Sequence, residues 1–234
     1  MQISVTEAFW ELFPAARIGL LIARGVNNQL DSAQPGLLLA EAIAATASAL
    51  EGVDMASHPS VAPWRAAYTQ FGAKPSKFRS SIESLLRSAQ SGRLRSISPL
   101  VDLYNTASLR HQLPCGGEDL ASIVGDIQLT RASGGEPFRT IGADQDDPPP
   151  AGEVIYADAA GAICRCFNWR EADRTKLTSS TTDALLVIES LPSHPPSQLD
   201  AALVDLAELI TAQLGGSVKQ HVLDRANPTL AIDR

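Results

Sequence analysis

The chain has 234 residues, 44% of them hydrophobic and 19% charged, and a net charge of −7. That apolar content supports a sizeable core, no apolar run approaches the ~18 residues of a membrane helix, and the acidic balance argues against extensive nonspecific binding to nucleic acid, DNA included. Three cysteines, an odd number, speak against a disulfide framework and for a reducing cytoplasm. The first residues carry no basic segment followed by a long apolar one, so no secretory signal is expected there.

Residues 17–26 read as a buried strand. Residues 37–50 are apolar and alanine-rich, a helix opening after Pro35-Gly36 and stopping at Gly52. A short helix is expected over 63–71, then one from an N-cap at Ser76 to Ser91, with Gly92 as its stop. Ser98-Pro99 opens another, running to about Leu113. The pattern then changes. Residues 126–132, 137–141, 152–157, 162–169 and 184–189 look like short strands between turn residues, and 146–150 forms a stiff acidic connector. A helix over 198–213 and a strand over 217–223 close the pattern. Residues 226–234 read as a loose tail. The order implies an α+β fold with a mixed or largely antiparallel sheet and flanking helices, one domain over 1–225.

Charge is unevenly spread. Lys74, Lys77, Arg79, Arg87, Arg93 and Arg95 face only Glu83, a local +5 that leaves −12 for the remainder. Such a run is either a solvated helix face or a phosphate-facing patch.

No nucleophile elbow, P-loop or dinucleotide fingerprint occurs. The four histidines give little support to a Ser-His-Asp triad. Cys115, Cys164, Cys166 and His111 lack paired zinc spacing, so the cysteines read as small buried thiols; neither metal nor cofactor is expected. On one strand, Cys164, Cys166, Asn168 and Arg170 would share a face, either lining a pocket with polar groups at its mouth or lying along a solvated edge. Asn105, inside a helix, either satisfies a buried group or points into a site. Gly116 and Gly117 permit main-chain amides to approach a ligand, or form a plain loop. Glu118 and Glu153 suit an ammonium group, or pair with Arg170 or Arg174.

Taken together, the runs Ser96–Asn105, Gly116-Gly117-Glu118-Asp119, Gly125-Asp126, Gly152–Tyr156 and Phe167-Asn168-Trp169-Arg170-Glu171 resemble the B3/4 domain, the tRNA-editing module of the bacterial phenylalanyl-tRNA synthetase beta subunit, in its free-standing form. The similarity spans roughly residues 64–191, with the N-terminal strand and helices and the C-terminal helix and strand packed on that core. The resemblance implies an aminoacyl-tRNA deacylase acting in trans on the aminoacylated 3′ end, without aminoacylation activity. In that role Glu118 or Glu153 would bind the α-ammonium, and Asn105 and Asn168 would orient the carbonyl or water. Arg170 and the Gly116 and Gly117 amides would face developing charge or the terminal ribose-phosphate. Lys74, Lys77, Arg79 and Arg174 would meet the acceptor-stem backbone. The competing expectations are a non-catalytic module for an amino-acid-like or nucleotide ligand or for RNA, and a hydrolase of simple esters.

Overall fold

The structure, a computed structural model, describes residues 1–29 and 32–233. In chain order it runs β1 (Gln2–Val5), α1 (Glu7–Trp10), β2 (Arg17–Arg24), α2 (Gln34–Ala49), α3 (Ala62–Gln70), α4 (Ser81–Gln90), α5 (Pro99–His111), β3 (Cys115–Asp119), β4 (Ile127–Arg131), β5 (Val154–Asp158), β6 (Gly161–Arg165), β7 (Arg170–Glu171), β8 (Ala184–Ser190), α6 (Pro196–Leu214), β9 (Ser217–Leu223) and β10 (Thr229–Ala231). The fold is α+β.

The strands form two sheets rather than one. The first is mixed, in order β10-β1-β4-β5-β6-β7, with only β1 and β4 parallel. The second is antiparallel, in order β3-β8-β2-β9. Strand period two divides the core between the faces of this second sheet. On β8, Ala184, Leu186 and Ile188 pack with α5 and α6 around Leu103, Leu203 and Leu206. Leu185 and Val187 point the other way, into the large core shared with the first sheet.

Several boundaries differ from expectation for identifiable reasons. The cap of α4 is Ser80, not Ser76: the Glu83 amide donates to Ser80 Oγ at 3.3 Å, in a serine-to-glutamate spacing of three. Residues 137–141 are not a strand. The Pro137 carbonyl accepts from Ala162, and only Thr140 bridges, to Ala172. The Gly-rich segment after Pro114 is a strand, β3, and not a loop. The tail is held as far as it is described, because β10 pairs antiparallel with β1; Arg234 lies outside the described residues.

The most consequential difference lies at the end of β6. The expected strand over 162–169 stops at Arg165, and Cys166 and Phe167 take left-handed backbone conformations with φ of 47° and 66°. Each costs on the order of 1–3 kcal/mol without glycine, so the surroundings must hold them. The Phe167 ring lies 5.2 Å from Phe9, 5.2 Å from Trp64 and 5.7 Å from Phe13. Glu153, expected near substrate, is instead buried in this framework. Its carboxylate accepts from Arg165 Nε at 2.8 Å and Nη2 at 2.9 Å, and from the Cys166 amide at 3.1 Å. Arg165 Nη1 also donates to the Asp147 carbonyl at 2.7 Å, which ties down the acidic connector. Cys166 accordingly turns into the core, and the expected single face of Cys164, Cys166, Asn168 and Arg170 does not exist.

Removing one partner of a buried ion pair leaves the other charged and unpaired. Arg165→Met is expected to lower stability by roughly 3–5 kcal/mol in urea titration. Glu153→Gln, which keeps an oxygen for Cys166 and leaves Asp147 for Arg165, should lose clearly less. Equal losses would mean that the pair does not govern this turn.

Candidate active site

The reversal at Cys166-Phe167 brings Asn168, Trp169, Arg170 and Glu171 to the mouth of a cavity of about 390 Å³. The cavity lies between the two sheets. β3 lines it with residues 115–118, β8 with Leu185, Val187 and Glu189, and β5 and β6 with Tyr156, Ile163 and Cys164. Helix α5 adds Tyr104 and Asn105, and α4 adds Ser81, Ser84, Leu85 and Ser88 at one-face helical spacing. Asn105, Gly116, Gly117, Glu118, Asn168 and Arg170 therefore meet around one hollow.

The remaining expected residues lie elsewhere. Glu153 is spent on Arg165, as above. Arg174 grips Asp158, with Nη1 to Oδ2 at 2.9 Å, so its charge is already paired. Arg79 sits 3.9 Å from Glu83, a fully buried carboxylate that also binds Arg65 at 2.8 Å and Arg87 at 3.0 Å. Lys77 lies over the Phe78 ring, 4.9 Å from its centre, and Lys74 is exposed.

The glycines act differently from expectation. A Cβ on Gly116 would stand 2.5 Å from Glu171 Oε1, and one on Gly117 would stand 2.5 Å from Leu186 Cδ2. Their lack of side chains lets Glu171 lie against β3, where its Oε1 accepts from the Gly117 amide at 2.9 Å. That amide is thus occupied by a side chain.

Three carboxyls define the electrostatics: Glu118, Glu171 and Glu189. Glu118 is buried, and its Oε2 makes no well-formed hydrogen bond among the described residues, although the buried Thr175 hydroxyl beside it pulls its pKa down. Burial, reinforced by the neighbouring Glu171, holds its pKa well above the usual carboxylate range. Burial also pushes Glu171 up to about 7, against the opposing pull of the Gly117 amide. Burial pushes Glu189 up to about 8, although it accepts from the Tyr156 hydroxyl at 3.1 Å and from Asn168 Nδ2 at 3.4 Å. Asn168 Oδ1 in turn accepts from the Tyr68 hydroxyl at 2.9 Å, so this amide is aimed from both ends. Asn105 is buried, and its side chain makes no hydrogen bond among the described residues.

Sequence reasoning missed Glu171, Glu189 and Tyr156. Glu189 carried a signal: it is the lone ionisable group in the apolar run Ala184–Ser190, and a buried strand rarely tolerates an acid without a use. Glu171 stood in the resembling run Phe167-Asn168-Trp169-Arg170-Glu171 but was given no role, because nothing along the chain shows that its carboxylate lies against the Gly117 amide. Among the described residues no group of three or more His, Cys, Asp or Glu is arranged to hold a metal ion.

The folded chain binds the Glu189 proton more tightly than the unfolded chain, about 8 against 4.5. Stability should therefore fall as pH rises between those values, as the unfolded state releases its proton first. We expect Glu189→Gln to make that decline shallower in urea titrations from about pH 5 to pH 8, with Glu118 and Glu171 supplying the rest. Parallel declines in both proteins would show that the proton is not held there.

Residues 63–210 match the B3/4 domain. No curated protein matches the chain. Among solved structures, the chain is similar to an N-terminal fragment of the phenylalanyl-tRNA synthetase beta-subunit from Pyrococcus horikoshii. The two share 12% identity with a TM-score of 0.48, over 92% of this chain and 49% of that one, so the chain spans about half the length of the fragment. No helix among the described residues is long and apolar enough to cross a membrane. The matched segment is more than half of the sequence and contains every residue that lines the cavity, and on that basis the chain belongs to the B3/4 domain family.

Proposed function

We propose that this chain is an aminoacyl-tRNA deacylase acting in trans, the activity implied by its resemblance to the synthetase editing module. The observation that carries the proposal is the buried carboxyl of Glu118 in the wall of the cavity, whose Oε2 has no nearer donor than the Thr175 hydroxyl among the described residues. A buried acceptor without a partner is costly, and the α-ammonium of an aminoacyl ester supplies the missing donor. Its charge would draw Glu118 to the carboxylate form, since an adjacent cation favours ionisation.

The remaining groups suit ester hydrolysis. An aminoacyl ester is already activated, so a positioned water suffices as nucleophile. The water oxygen attacks the carbonyl carbon and gives its proton to Glu171, whose pKa of about 7 lies near working pH. Asn168, fixed by Tyr68 and Glu189, and Asn105 orient the water and the carbonyl. The tetrahedral intermediate collapses with cleavage of the bond to the ribose oxygen. That oxygen leaves with the electron pair and takes the proton back from Glu171, which regenerates the carboxylate and yields free amino acid and deacylated tRNA. Arg170, exposed at the mouth, faces the terminal ribose-phosphate. Lys74, Lys77 and Arg79, together with Arg65 and Arg87, are the cations assigned to the tRNA backbone. Glu153 and Arg174 have no part in this scheme.

A panel of mischarged tRNAs tests it. Ester cleavage is expected for at least one, falling about 10²-fold or more in Glu118→Ala and Asn168→Ala. Cleavage no faster than in these variants would end the proposal, and saturable binding without product would favour a non-catalytic module. If Glu171 takes the proton, the rate should climb through about pH 7 in the parent chain. It should lose that dependence, and about 10²–10⁴-fold of its height, in Glu171→Gln.

A further inference from the structure

The cavity sets three carboxyls in a largely apolar lining, and its mouth has a different character. Of the three tryptophans, Trp10 and Trp64 are 1% and 0% exposed, whereas Trp169 is only partly buried and stands at the mouth. Its ring is held rigidly. Phe78 packs edge-on at 4.8 Å, and the guanidinium of Arg165, itself fixed by Glu153 and Asp147, lies 5.6 Å from the ring centre. Two isoleucines flank the same opening, Ile97 at 73% exposure and Ile141 at 47%. Aliphatic groups so exposed beside an aromatic ring form the kind of patch that marks a binding surface.

Cations surround this patch. The exposed Arg170 guanidinium lies over the Trp169 ring, 5.8 Å from its centre, so a base that stacks there takes the place of this side chain and turns it toward the phosphates, and the Lys77 ammonium lies 4.9 Å from the centre of Phe78. A ligand that satisfies the whole site carries an ammonium at one end, for Glu118. At the other end it carries a flat apolar ring joined to phosphates. An aminoacylated nucleotide has that polarity; a peptide or a simple ester does not.

We infer that Trp169, bracketed by Ile97 and Ile141 and attended by Arg170 and Lys77, is a stacking platform for the terminal nucleobase of an unpaired ribonucleotide 3′ end. The inference deepens the deacylase proposal and rests on it for the direction in which the strand enters. Base stacking on an aromatic side chain is tolerant of sequence, while cations hold the backbone.

The probe is a cytidine-cytidine-adenosine ribo-oligomer, compared with the same oligomer whose terminal sugar lacks its base. Both keep every phosphate, so the difference isolates the ring. The intact oligomer is expected to bind roughly 5- to 100-fold more tightly. It should also alter the intrinsic fluorescence and shield it from acrylamide, because Trp169 is the accessible tryptophan. Trp169→Phe should remove that optical response. Equal binding of the two oligomers, or an emission unmoved at saturation, overturns the inference, and neither result depends on the variant folding. A chain that prefers the intact oligomer yet cleaves no ester loses the hydrolase proposal alone. One that cleaves mischarged tRNA while binding both oligomers alike loses the platform alone.

Discussion

The buried pair of Glu153 and Arg165 is the constraint on which the cavity depends. Two consecutive non-glycine residues in left-handed conformation would relax in an isolated hairpin. Here the carboxylate of Glu153 holds both the Arg165 guanidinium and the Cys166 amide, while Phe167 is locked among Phe9, Phe13 and Trp64. The turn is thus overdetermined. Its consequence is directional: the chain reverses, Arg170 and Glu171 pair back onto β6 as β7, and residues 168–171 come to line the cavity between the sheets. A carboxylate with the composition of a catalytic group is, in this fold, the anchor of the group that presents others.

The cavity illustrates how a low-dielectric site stores unsatisfied demand. Glu118, Glu171 and Glu189 lie against Tyr104, Tyr156, Cys115 and Cys164, and burial pushes the pKa of every one of these groups upward. An empty site therefore favours the uncharged forms of its own side chains. Glu171 is the exception in degree. Its contact with the Gly117 amide favours the anion and brings it close to neutrality, where a small change in surroundings moves the proton. Protonation and ligand charge are linked in such a site, and an incoming ammonium alters the acids it meets.

The elements with strong periodicity were legible in the sequence. Residues 217–223 coincide with β9, and the helices over 37–50 and 198–213 differ from α2 and α6 only at their ends. What was hidden depends on distant partners. Cys115-Gly116-Gly117 carries every local sign of a loop, yet it is a strand because β8 offers a full antiparallel partner and Leu186 and Glu171 need the space that a Cβ would fill. The tail becomes β10 because β1 has an open edge. The alternation through Cys164, Cys166 and Asn168 fails because a buried ion pair, invisible along the chain, overrides it. Asn105, Glu118 and Asn168 could be picked out as polar groups near element ends; Glu171 and Glu189 could not be placed beside them without the packing of the sheets.

Net charge alone would class this chain as a poor partner for a polyanion, and α4 shows that a whole-chain sum can hide a local excess of cations. Ile82, Leu86 and Ala89 fasten one side of the helix to the core, and Ser81, Ser84 and Ser88 form a wall of the cavity. Glu83, fully buried, draws in Arg65, Arg79 and Arg87 from three directions. One carboxylate cannot neutralise three guanidinium groups, so the cluster keeps a net positive charge, and its half-exposed arginines are held in place rather than left on mobile stems. Attraction at a surface is felt over about a Debye length, ~8–10 Å in physiological salt. Within that range, the arrangement of nearby cations outweighs acids on the far side of the molecule. The helix that shapes the cavity thereby also carries the charge beside it, while the remainder of the chain is acidic.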